Sequence, residues 1–202
     1  MRDQILLGAT ELFGRYGIKS ITMDDIARHL AISKKTIYQY FEDKNALVDA
    51  GLEVFLIQNN EDMKKLKEES VNSIEELAKT GEHLKSKICN LNPSLMFDMR
   101  KYFPHAWKRF IEFKRTYIES FIADTLETGV KQGMFRTSIN SVILARMRVE
   151  QIDMGYNPEI FPQEVFNPLD VQMHFFDHFV YGILTEKGLI EYEKYTQTSK
   201  AI

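Results

Sequence analysis

Apolar residues recur every three to four positions along most of this chain, and no stretch alternates with a period of two. That spacing predicts helices throughout and no strands. The first helix carries Ile5, Leu6, Ala9, Leu12, Phe13 and Tyr16 on one face and closes at Gly17, a residue suited to the C′ position. Thr22 is placed to cap a helix starting at Met23, with Asp25 three residues on to complete a capping box. Ile26, Ala27 and Leu30 form the apolar face of that second helix, and Ile37, Tyr38 and Phe41 that of a third, for which Ser33 is the N-cap. Two helices of about two turns joined by Ala31-Ile32-Ser33 make a helix-turn-helix. Ala27 is the small residue at the crossing, and Ile32 and Ile37 fill the wedge.

The pattern continues as a long fourth helix from Lys44 past Leu56 into the charged run 61–69, and a fifth over 71–90. Asn92-Pro93 opens a sixth. Pro104 opens a long seventh that ends near Gly133, and Ile139 or Asn140 opens an eighth that closes near Gly155. After a loop containing Pro162, a ninth helix spans 168–187 and stops at Gly188, and a tail helix passes through Tyr192. The predicted fold is all-α, with about nine or ten helices. A three-helix helix-turn-helix domain (1–45) precedes a larger helical domain (46–202), and the boundary lies inside helix four rather than in a linker.

The charges add chemistry to this outline. Helix N-termini favour anionic side chains. The second helix complies with Asp24 and Asp25, but the third opens on Lys34 and Lys35 and the fourth on Lys44. An external anion such as phosphate would relieve that mismatch. Between Ile26 and Phe41 stand Arg28, Lys34 and Lys35 with no acidic residue, and Tyr38 and Tyr40 add hydroxyls that reach phosphate or base edges. A short surface hairpin of purely structural role, in an all-α small-molecule-binding or enzymatic protein, is the competing reading of the same residues.

Composition limits the options further. Net charge is −3, so DNA affinity must come from local charge placement doubled by pairing of subunits, not from bulk charge. No run of 18 apolar residues predicts a membrane span, the N-terminus is not a secretory signal, and the single Cys89 excludes an intrachain disulfide. A cytoplasmic setting is expected.

The segment resembles the N-terminal domain of TetR-family (tetracycline-repressor-like) transcriptional regulators. The resemblance is carried by Ala9, Leu12, Phe13, Gly17, Thr22, Ile26, Ala27, Ser33, Thr36, Tyr38, Tyr40, Phe41, Lys44 and Leu47, in order and spacing. One departure is Ala31, where the family usually has glycine. The resemblance implies a homodimer that reads a pseudo-palindromic duplex DNA operator, acting as a repressor released by a small-molecule effector. It places helix three in the major groove, with Lys34, Lys35, Thr36 and Gln39 as base-edge candidates. By the same match, Thr22, Ser33, Tyr38, Tyr40 and Lys44 are phosphate-contact candidates.

For the larger domain the resemblance is weaker. It implies an effector pocket, for which the aromatic and methionine-rich stretch supplies Met99, Phe103, Trp107, Phe110, Tyr117 and Phe121, with Met147 from the eighth helix. The same residues at helical spacing also fit an ordinary core. Arg146, Arg148, Glu150 and Asp153 interrupt an otherwise apolar helix, and three roles stay open for them: solvated, at a dimer interface, or facing a polar ligand. The ninth helix is apolar on more than one side, and Phe175, Phe176, Phe179 and Ile183 are its candidates for a twofold helical interface. His174 and His178 have the spacing of metal ligands on one helix, but two ligands need a third, so no metal and no cofactor is expected. No phosphate-loop, zinc-protease or nucleophile-elbow motif occurs, and no enzymatic activity is expected.

Overall fold

The structure, a computed structural model, describes residues 1–89 and 92–199. Among these residues every regular element is helical, apart from one isolated bridge between Phe135 and Leu184. The elements are α1 (Arg2–Tyr16), α2 (Met23–His29), α3 (Lys34–Tyr38), α4 (Lys44–Glu68), α5 (Ser73–Ile88) and α6 (Ser94–Tyr102). They continue as α7 (Pro104–Phe113), a π-helical turn (Lys114–Ile118), α8 (Glu119–Lys131), α9 (Ser141–Gly155), α10 (Pro168–Ile183) and α11 (Glu186–Ser199).

Local chemistry accounts for most of the boundaries. Thr22 and Asp25 form the full capping box of α2, Asn72 caps α5 with bonds from Ile74 N and Glu75 N, and Asn140 caps α9. Pro168 occupies the first turn of α10, where its missing N–H costs nothing. Two boundaries depart from the expected ones. The π turn interrupts the single long seventh helix that periodicity predicts. The expected end of helix five at Asn90 lies outside the described residues. α10 stops at Ile183, four residues early, because Leu184 turns extended to bridge Phe135. Gly188 is therefore not a stop but lies inside α11, where a Cβ would come within 2.1 Å of the Met134 carbonyl oxygen.

The chain forms two compact units. The first comprises Met1–Asn59 and Asn90–Glu112, and so extends well beyond residues 1–45. Ile5, Ala9, Ile26, Ile37 and Leu47, each without exposed surface, join α1 to α4 in its core. Met99, Phe103 and Phe110 are buried in the same core. Burying a side chain of this size is worth roughly 1.5–3 kcal/mol, which holds the short helices α2 and α3 in place.

The second unit comprises Asn60–Cys89 and Phe113–Ile202. Its core gathers Ile74, Leu126, Phe135, Phe176, Phe179, Val180 and Ile183. Phe135 is fully buried and lies flat on Gly129, where any Cβ would overlap its ring.

Candidate nucleic-acid interface

The helix-turn-helix is built as its residues require. Ser33 Oγ accepts from Thr36 N at 3.0 Å and contacts Thr36 Oγ1 at 2.8 Å, starting α3. Ile32 N donates to the Ala27 carbonyl at 3.0 Å, closing the turn over Ala31. Ala31 has φ = 53°, the left-handed conformation that glycine adopts without penalty. It is the only non-glycine residue with positive φ among the described residues.

Ile37 is fully buried and anchors α3, so its neighbours turn outward. Ser33, Lys34, Lys35, Tyr38, Gln39 and Tyr40 are all exposed, Thr36 is half-buried beside its cap, and Thr22 is exposed at the start of α2. Seven of the nine expected DNA-contact residues are thus exposed at the start of α2, on α3 and on the segment that follows. Tyr38 and Tyr40 expose 47% and 44% of their surface, far more than a core role would leave.

Two lysines differ from what helix electrostatics alone suggests. Lys34 does not lack an anion, since its Nζ lies 2.8 Å from Asp24 Oδ2 on the preceding helix. The bond to Asp24 raises the Lys34 pKa. Lys44 is half-buried instead of lying open on the surface. Its Nζ donates to the Lys19 carbonyl at 3.4 Å and stands 5.9 Å and 5.7 Å from the ring centroids of Phe13 and Phe103. Burial lowers its pKa, and the charges of Asp98 and Asp25 act the other way. Lys35 is exposed, with no carboxylate within 4.0 Å among the described residues.

The expected effector residues fall into two groups. Met99, Phe103, Trp107 and Phe110 belong to the first unit, and all but the partly buried Trp107 are core. Tyr117 and Met147 are exposed in the second unit and Phe121 is half-buried there. The expected interface residues lie mostly inward. Phe176, Phe179 and Ile183 retain 4%, 4% and 2% exposure, because α10 turns them into its own unit's core, and Phe175 packs edge-on against Phe161. The outward side of α10 is His174, Asp177, His178 and Tyr181 instead. His174 Nδ1 donates to the Asp170 carbonyl, and no group of three or more His, Cys, Asp or Glu residues suited to a metal ion occurs among the described residues.

A short capped helix seated on a three-helix core, with polar, basic and tyrosine side chains turned outward, is the architecture of a helix-turn-helix DNA-binding regulator. Comparison with known proteins agrees. Residues 5–50 match the bacterial regulatory proteins, tetR family. The uncharacterized HTH-type transcriptional regulator YvaF of Bacillus subtilis is 30% identical over 160 residues, which span 79% of this chain and 83% of YvaF. A TetR-family transcriptional regulator from Agrobacterium tumefaciens superposes with a TM-score of 0.74 at 16% identity, covering 91% of this chain and 97% of its own. A transcriptional regulator from Saccharomonospora viridis, solved in complex with choline, superposes with a TM-score of 0.72 at 20% identity, covering 92% and 98%. The chain belongs to the TetR family of transcriptional regulators. The relatives named above are transcriptional regulators, and no helix among the described residues is long and apolar enough to cross a membrane.

Proposed function

We propose that the protein is a homodimeric repressor that binds a pseudo-palindromic operator through residues 1–45 and is released by a small molecule held in the second unit. The observation that carries the DNA reading is the outward face of α3, where Lys35, Tyr38, Gln39 and Tyr40 are exposed around the buried anchor Ile37. Gln39 suits an adenine edge and Lys35 a guanine edge. Thr22, Ser33, Tyr38 and Tyr40 serve the phosphates, while Thr36, and Lys34 once it leaves Asp24, serve base edges. Lys44 contacts phosphate only if its ammonium leaves the Phe13 and Phe103 rings.

A dimer is supported by the apolar residues left open on two helices. Val142, Ile143 and Met147 on α9 expose 57%, 64% and 40%, and Tyr181 on α10 exposes 57%. A twofold pairing would cover them and set two copies of α3 one helical turn of DNA apart. An effector acts by binding one dimer spacing better than the other, and shifts the equilibrium only by that difference in affinity. The choline held by the Saccharomonospora viridis regulator supports an effector site in this fold.

The test is selection of bound sequences from random duplex DNA with the purified protein. The expected result is an enriched palindrome, with Lys35→Ala weakening its binding and lowering the salt slope by about one. Recovery of no enriched motif would overturn the regulator reading.

A further inference from the structure

The second unit buries a positive charge that its own residues leave unanswered. Arg148, on α9, retains only 3% exposure. Its Nη1 has no hydrogen-bond partner, and its guanidinium lies 5.6 Å from the ring centroid of Phe176 on α10. No carboxylate comes within ion-pairing distance of it among the described residues. The neighbouring carboxylates are each engaged through one oxygen elsewhere, while Asp153 Oδ1, like Gln151 Oε1 on the same helix, has no hydrogen-bond partner. Lys114, in the π turn, pairs with Asp153. Glu76, a buried carboxylate of the unit, accepts from Thr125 Oγ1 at 2.6 Å. Burial alone holds the Arg148 pKa down to about 10, with no opposing carboxylate.

A second polar group nearby is also left open. Gln172 has no exposed surface, and its Nε2 donates to the Ile152 carbonyl, one turn along α9 from Arg148. Its Oε1 has no partner. Gln172 and Phe176 are themselves one turn apart on α10, so the guanidinium and the free amide oxygen face the same α9–α10 seam. A buried guanidinium without an anion is among the costliest arrangements a core can hold, and its forked donors match a carboxylate or phosphate. The π turn adds a helical irregularity of a kind often found at functional sites, and it positions Lys114 against the same helix.

We infer that the effector is an apolar molecule with an oxyanion head, a carboxylate or a phosphate, bound by Arg148 with Gln172 Oε1 accepting a hydroxyl or N–H of the same ligand. This rests on the effector reading above and specifies its chemistry.

The test uses the full-length protein and thermal melting, which does not depend on DNA. Octanoate and benzoate are compared with octanol and benzyl alcohol, with octyl phosphate as the phosphate arm and choline as the cationic arm. At least one oxyanion probe is expected to raise Tm where its alcohol does not, and Arg148→Met is expected to bind that probe at least tenfold more weakly. Without any probe, Arg148→Met is expected to raise Tm by roughly 2–4 °C, since it removes an uncompensated buried charge. Arg148→Lys keeps the charge and is expected to keep part of the anion response, so the inference stays testable if the methionine variant does not fold. A lower Tm for unliganded Arg148→Met, equal stabilisation by alcohol and acid, or no response to any oxyanion would overturn it. Stabilisation by choline alone would overturn the anion class while leaving the effector reading intact, and failure of the DNA selection would strike the regulator reading but not this one.

Discussion

Lys34 Nζ and Asp24 Oδ2 stand 2.8 Å apart, so the first residue of α3 is tied to the first turn of α2. Both side chains keep about half their surface in solvent, and such a pair contributes under about 1 kcal/mol. Under the proposed interface its consequence for DNA is larger than for stability, because the carboxylate neutralises a lysine that the proposal turns toward the duplex. Asp24→Asn is expected to leave Tm nearly unchanged and to tighten DNA binding at low salt. Titrating the selected duplex against salt should show a slope steeper by about one. Weaker binding by the variant would mean that Asp24 positions Lys34 rather than restraining it.

Ala31 carries a left-handed backbone that costs an alanine roughly 1–2 kcal/mol. Glycine loses more freedom on folding, by roughly 0.5–1 kcal/mol, so the two effects oppose. Ala31→Gly is expected to be neutral to stabilising by up to about 1 kcal/mol, whereas Ala31→Val should destabilise by more than about 1 kcal/mol. Thermal melting of the three proteins checks the order. A clear loss of stability in the glycine variant would contradict the strain at this turn.

The caps around that turn were readable from sequence because they are local. Thr22 with Asp25, Ser33 with Thr36, and Gly17 after α1 each act within a few residues. The outward face of α3 followed from the burial of Ile37. What could not be read is what one helix does to another. Asp24 precedes Lys34 by ten residues, and only the turn geometry brings them together. Aromatics from Met99 to Phe121 share one helical period, yet the π turn divides them, and Phe103 and Phe110 join the core beneath the helix-turn-helix. Helical spacing marked Phe176, Phe179 and Ile183 as apolar without saying whether their own unit or a partner would cover them. Arg148 stood among three possible roles, of which its burial excludes the solvated one.

Thr22 and Asp25 complete each other's unsatisfied groups at the start of α2. Thr22→Ala is expected to cost about 1 kcal/mol, or roughly 2–4 °C in Tm, and Thr22→Ser to restore most of it. The same box makes a pH prediction. Hydrogen bonds from the Thr22 side chain and backbone lower the Asp25 pKa below its ordinary value of 3.8. The folded state therefore prefers the ionised form. That contribution is fully present above pH 3.8 and is lost as pH falls through the lower folded value. Asp25→Asn should be less stable at neutral pH and lose stability less steeply below pH 3.8. Parallel acid-unfolding curves for the two proteins would refute the linkage.

Ile143 and Met147 lie one turn apart on α9, and Tyr181 lies on the outward side of α10. None is itself buried in the core of its own unit, and only Tyr181 touches it, edge-on against Tyr192, so polar substitutions there should largely spare folding. If a second copy of the chain covers this surface, a charge placed in it would be desolvated without a partner on both sides of the twofold axis. The native protein is expected to sediment as a dimer, and Ile143→Asp combined with Tyr181→Glu to give a folded monomer at the same concentration, with helical content unchanged. DNA binding should fall further than for any single α3 substitution, because a monomer engages one half-site and loses the advantage of linkage. A double variant that remains dimeric would place the interface elsewhere. A monomer that keeps full affinity for the palindrome would show that one copy of α3 is sufficient.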